Sequence, residues 1–124
     1  MTTDTSTPSD HLLTLKQKLR TFAQERDWEQ FHSPKNLAMA LSVEAAELLE
    51  CFQWLTEDES KQVSGEKLAA IADEIADVQL YLIRLADRLG VDIIDAATRK
   101  IAKNEAKYPI DKVRGSSKKY TEYE

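Results

Sequence analysis

Between Glu66 and Leu89 neither glycine nor proline interrupts the chain, and apolar residues recur at helical spacing. Such a run predicts one long helix, started near Ser64 and stopped by Gly90 as a left-handed cap. On a helical wheel with Glu74 at zero, Val78, Tyr81 and Leu85 fall within about 40° and Ile71 completes the stripe. Glu74 therefore sits in the middle of the face that should be buried. Asp77 stands about 60° to one side.

A second segment repeats this pattern. Ser33-Pro34 reads as a helix start, with serine at the N-cap and proline at the first helical position. The helix is expected to reach about Leu55. Around Glu44, the side chains of Leu37, Leu48, Cys51 and Leu55 fall within about 40°, and Glu47 about 60° away near Ala40. A carboxylate in an apolar stripe is costly unless it is paired or bound to a cation. The nearest cations, Lys67 and Arg84, are too few to neutralise four such acids. Glu44, Glu47, Glu74 and Asp77 are thus the candidate metal ligands. Oxygen-only ligation favours magnesium, manganese or calcium over zinc. A di-iron carboxylate bundle would need Glu-x-x-His motifs, and the two histidines, His11 and His32, lie outside both acid helices.

The rest of the chain fits an all-α protein, because no segment alternates with period two over a useful length. Residues 1–10 read as a disordered arm. A first helix is expected from about His11 to Arg26, and an aromatic connector, Asp27 to His32, breaks its pattern. The segment from Thr56 to Gly65 reads as a polar loop. Asp92 is a candidate cap for a fourth helix that ends near Pro109, and residues 111–124 form a basic tail. The helical domain between arm and tail spans residues 11–110.

The net charge of −5 argues against a nucleic acid polymer as partner. It leaves room for a small anion, since a bound cation reverses the local field. One cysteine, Cys51, excludes an internal disulfide. No apolar run is long enough for a membrane span, and the first ten residues lack the apolar core of a signal peptide, so a cytoplasmic protein with no membrane partner is expected. A core of this size would gain from a second copy of the chain.

The string Asp27-Trp28-Glu29-Gln30-Phe31-His32, with Lys35-Asn36-Leu37, Glu44-x-x-Glu47, Phe52-Gln53-Trp54 and Glu74-x-x-Asp77-Val78-x-x-Tyr81-Leu82, resembles the all-α nucleotide pyrophosphohydrolases, the MazG-like enzymes. The nearest likeness is to the dCTP pyrophosphatase branch. It continues through Lys103-Asn104-x-x-Lys107-Tyr108-Pro109, Arg114-Gly115-Ser116 and Lys118-Lys119-Tyr120-Thr121-Glu122.

The resemblance implies a four-helix bundle assembling as a dimer of dimers, a homotetramer with sites between subunits. It implies magnesium-dependent hydrolysis of a nucleoside triphosphate to the monophosphate and diphosphate, with manganese as a substitute ion. dCTP or a modified dCTP is the implied substrate, in nucleotide-pool house-cleaning. Glu44, Glu47, Glu74 and Asp77 match the family's catalytic metal ligands. Trp28, Glu29, Gln30, Phe31, His32, Trp54 and Tyr81 match positions around the nucleotide. Lys103 and Asn104, which recur with Lys100 and Lys107 at helical spacing, are either a solvated face or a contact to the outer phosphates. Eukaryotic members carry a histidine nine residues before the connector tryptophan, where this chain has Leu19. That departure bears on base or sugar preference and leaves the metal chemistry intact. A dUTPase-like or phosphoribosyl-ATP pyrophosphohydrolase-like enzyme is the alternative within this architecture. A helical oligomerisation module is the alternative outside it.

Overall fold

The computed structural model describes residues 7–117, which are helical and contain no strand. Four long helices carry the architecture: α1 (Pro8–Glu25), α2 (Pro34–Glu50), α4 (Gly65–Leu89) and α5 (Ile93–Lys107). Two single-turn helices complete the order, α3 (Glu57–Ser60) between α2 and α4 and α6 (Ile110–Val113) after α5.

Local chemistry sets most boundaries. Ser33 Oγ accepts from Asn36 N–H at 3.1 Å, and Asp92 Oδ1 accepts from Asp95 N–H at 3.0 Å, so both expected caps form. Each such cap is worth about 1 kcal/mol. Gly90 ends α4 in the left-handed region at φ 68°, and Val91 N–H closes back on Ala86 O at 2.8 Å. The connector uses the same closure without a glycine. Asp27 takes φ 53° and Trp28 N–H reaches Ala23 O at 2.8 Å.

Four boundaries differ from expectation. Helix α1 begins at Pro8, because Thr7 and Asp10 cap it reciprocally, so residues 8–10 are helical rather than part of an arm. Residues 1–6 lie outside the described residues. Helix α2 stops at Glu50 rather than near Leu55. Turn bonds then take over, with Phe52 N–H to Leu49 O and Leu55 N–H to Phe52 O, both at 2.9 Å. The expected loop after Thr56 opens with α3, held by a Thr56–Glu59 capping box. Ser64 precedes α4, but its hydroxyl makes no capping bond. The basic tail opens with α6, and Lys118 and Lys119 lie outside the described residues.

The chain divides into two compact units, Met1–Val91 and Asp92–Glu124. In the first, α4 packs chiefly along α2 and more lightly on α1. Its buried apolar centre is small: Ala23 from α1, Leu37 from α2, and Ile71 and Ile83 from α4. Each buried leucine or isoleucine contributes roughly 1.5–3 kcal/mol. The second unit holds α5 and α6.

Candidate metal centre and adjoining cavity

The packing of α4 on α2 brings the two acid pairs together. Carboxylate oxygens of Glu44, Glu74 and Asp77 all lie within 4.8 Å of one another. Glu44 and Glu74 are half-buried, and the Oε2 atom of each is buried without a hydrogen-bond partner. Burial pushes the Glu44 carboxyl above its ordinary range, and Glu47, Asp77 and Glu74 push it further. Glu74 is raised in the same way, by burial first and then by Glu47, Asp77 and Asp73. Glu47 thus acts on Glu44 along α2 and on Glu74 across the helix interface. Among the described residues no ion pair to a lysine or arginine joins this cluster, so its like charges stand uncompensated. Buried, unpartnered carboxylate oxygens converging from two helices suit a hard divalent cation. The donor set fits magnesium.

The cluster opens onto a cavity of about 460 Å³. This is within the range of small-molecule sites. Asp77 belongs to both. Along α4 the wall continues through Leu80, Tyr81 and Arg84; the connector supplies Trp28 and His32; α1 supplies Leu15, Lys18, Leu19 and Phe22. Leu19, where the sequence departs from the eukaryotic pattern, therefore lines this space. Trp28 meets Phe22 edge-on at 5.6 Å, and Arg26 lies 3.7 Å over the Phe22 ring.

The other connector residues have separate roles within the chain. Glu29 lies 3.8 Å from Arg84 Nη2. Gln30 donates to the Asp27 carbonyl and carboxylate, closing the turn. Phe31 is exposed, and its carbonyl accepts from Asn36 Nδ2 at 3.1 Å. Trp54 lies beyond the end of α2, 87% exposed and not on the cavity wall. Lys103 and Asn104 are exposed on α5, in the second unit.

Sequence reasoning missed the ion cluster that Arg84 and His32 join to the cavity wall. Arg20 grips Asp87 with two bonds, Nε to Oδ2 at 2.7 Å and Nη2 to Oδ1 at 2.6 Å. These hold the Asp87 carboxyl below its ordinary range, against burial. Arg84, 4% exposed, donates to His32 Nδ1 at 3.2 Å and to Asp87 Oδ2 at 3.5 Å. A signal for Arg84 was available: it follows Asp77 by two helical turns and so shares its face.

Known proteins match this arrangement in sequence and in shape. dCTP pyrophosphatase 1 from Homo sapiens is 48% identical over 103 residues, covering 82% of this chain and 61% of that protein. The Mus musculus protein of the same name is 45% identical with the same coverage. The chain thus spans 61% of the length of these curated relatives. A crystal structure of a pyrophosphatase from Archaeoglobus fulgidus superposes with a TM-score of 0.74 at 41% identity, covering 88% of this chain and 99% of that one. The MazG-like family model matches residues 39–123, a span that holds both acid pairs and the whole of α4 and α5, and the chain belongs to the MazG-like family.

Proposed function

We propose that this chain is a magnesium-dependent nucleoside triphosphate pyrophosphohydrolase, converting a (d)NTP and water to the (d)NMP and diphosphate. One observation carries the reading. An uncompensated carboxylate cluster opens, through Asp77, onto a cavity walled by Trp28, His32 and Tyr81. A cation end and an aromatic end in one space suit a molecule with phosphates at one end and a flat base at the other. The names of the human and mouse relatives support dCTP as the preferred substrate, and a modified dCTP enters on the resemblance alone.

Glu44, Glu47, Glu74 and Asp77 would hold the magnesium. When bound, it supplies charge neutralisation of the phosphates and acidification of water. The reaction needs attack of water on the α-phosphorus and rupture of its bond to the bridging oxygen, so that diphosphate leaves. Glu47, which acts on both Glu44 and Glu74, takes the water's proton in this reading. Trp28 and Tyr81 stack on or wall in the base, and His32 meets its edge. Lys103 and Asn104 enter as phosphate contacts on the resemblance alone.

The assembly belongs to the same proposal. Leu68, Ile75, Leu82 and Leu89 are exposed on α4 at a strict seven-residue spacing, and Met39, Val43 and Leu49 are exposed on α2. A seven-residue recurrence marks one continuous stripe along a helix. We read these faces as covered by further copies in a homotetramer, a dimer of dimers, working in the cytoplasm. Among the described residues no helix is long and apolar enough to cross a membrane.

The test is diphosphate release from dCTP, modified dCTP, dTTP, dUTP, phosphoribosyl-ATP and ribonucleotides, with and without magnesium. Magnesium-dependent turnover led by a cytosine deoxynucleotide is expected. Release from none of them would sink the reading, and dUTP or phosphoribosyl-ATP as the only good substrate would move it to the neighbouring enzyme classes. Sedimentation of the full chain checks the tetramer.

A further inference from the structure

Arg84 is the one buried charged residue of the described core, and its guanidinium is divided among three neighbours. Nε donates to His32 Nδ1 at 3.2 Å, Nη1 donates to Asp87 Oδ2 at 3.5 Å, and Nη2 lies 3.8 Å from Glu29 Oε1. Nη2 makes no hydrogen bond. An arginine Nε always carries its hydrogen. The Nδ1 lone pair of His32 must then be free to accept it, which puts the imidazole's proton on Nε2.

The surroundings hold the ring in that state. Arg88 Nε donates to the His32 carbonyl at 3.0 Å and ties the residue to α4. Trp28 meets the ring edge-on at 6.5 Å. Burial keeps His32 below its ordinary pKa, Arg84 and Arg88 lower it further, and Glu29 opposes them, so the ring is neutral at physiological pH. His32 and Arg84 line the same cavity. With Nδ1 occupied, the polar ring atom left for a ligand is the Nε2–H donor.

We propose that Arg84 is a positioning residue that locks His32 as an Nε2–H donor, so that the cavity favours a base edge presenting an acceptor. The inference rests on the reading of this cavity as a nucleotide-base site. The unprotonated ring nitrogen N3 of cytosine is the acceptor that distinguishes it, since the adjoining carbonyl oxygen is shared by thymine and uracil. Thymine and uracil carry an N–H at the corresponding ring position, and two donors facing each other leave both unpaired.

The tautomer is read directly by nitrogen-15 NMR of the histidine-labelled full chain without nucleotide, with His32 assigned by loss of its signals in His32→Gln. A pyridine-like Nδ1 and a pyrrole-like Nε2 are expected at neutral pH, and a tautomer mixture in Arg84→Lys. A pyrrole-like Nδ1 in the wild type overturns the proposal, as does an unchanged tautomer in the folded variant. Kinetically, Arg84→Lys should raise KM for dCTP about tenfold with kcat within about threefold, and should narrow the preference for dCTP over dTTP. A fall in kcat at unchanged KM also overturns it. Circular dichroism identifies a variant that fails to fold, and the wild-type tautomer then decides alone. Because that measurement needs no substrate, it is independent of the hydrolase reading, which fails instead on absence of diphosphate release by the wild type.

Discussion

Helix α4 carries two charge clusters two turns apart, and they obey opposite rules. Around Glu74 and Asp77 the neighbours are Glu44 and Glu47, so like charges face one another with buried oxygens unpartnered. Around Arg84 and Asp87 the neighbours are Arg20, Glu29 and His32, so opposite charges interlock with hydrogen bonds at 2.6 and 2.7 Å. The second cluster joins α1, the connector and α4, and folding explains it. The first joins α2 to α4 but raises the pKa of Glu44 and Glu74, so folding alone gives it no reason to exist. A cost kept in the middle of a small core points to a ligand that removes it.

Exchanging one charge in each cluster should separate these roles. In the acid cluster, Glu44→Gln should lower magnesium-dependent turnover by about 100-fold or more, since even outer-shell partners of a metal are worth about 10–100-fold. The metal-free variant should keep its helical content and unfold at an equal or higher temperature, because a repulsion has been removed. Wild-type turnover would show that Glu44 holds no metal. In the ion cluster the expected loss is in stability. Asp87→Asn removes the nearer of the two anionic partners of Arg84, whose side chain is 5% exposed, and the carboxylate that Arg20 grips, at about 3 kcal/mol. Thermal unfolding at fixed protein concentration measures this. A shift smaller than that of Glu44→Gln would erase the contrast between the clusters.

Acidification should act on the two clusters with opposite sign. Glu44 and Glu74 bind protons more tightly folded than unfolded, so their contribution to metal-free stability is fully present below the ordinary glutamate value of 4.5 and is lost as pH rises above it. Asp87 binds protons less tightly when folded, so its contribution is present above 3.8 and is lost as pH falls through its lowered value. In the metal-free protein the acid cluster should therefore add stability from pH 7 towards 4.5, while His32, whose pKa is lowered on folding, subtracts it below 6.5 and Asp87 below 3.8. Magnesium should reverse the first trend, because protons compete for its ligands. Unfolding midpoints across pH in chelator and in magnesium, for the wild type and Glu44→Gln, isolate the acid cluster; the same pH dependence for both proteins in chelator contradicts this account of it.

The clusters also differ in how far they could be read before the structure. Helical periodicity alone put Glu44 and Glu74 on buried faces, and local chemistry alone located the caps at Ser33, Asp92 and Gly90. The ion cluster depends on partners 67 residues apart for Arg20 and Asp87, and 52 apart for His32 and Arg84. No local pattern encodes such pairings. The end of α2 misled for another reason. Phe52, Trp54 and Leu55 prolong an apolar rhythm past Glu50, while the backbone has already tightened into turns. The one-turn helix α3 was legible in principle, since Thr56-x-x-Glu59 is a capping box.

Trp54 tests whether the aromatic end of the proposed site extends beyond either cluster. At 87% exposed, it has almost nothing to pack against within its own chain. Its removal should therefore change stability by no more than about 0.5 kcal/mol, the usual range for an exposed position. Stacking on a base is worth about 1–3 kcal/mol, so Trp54→Ala should raise KM for dCTP at least about fivefold while kcat changes little. A lower unfolding midpoint with KM unchanged would mean that the indole packs in an interface between copies. In that case base recognition would rest on Trp28, His32 and Tyr81, and the aromatic end would lie wholly within the cavity that starts at Asp77.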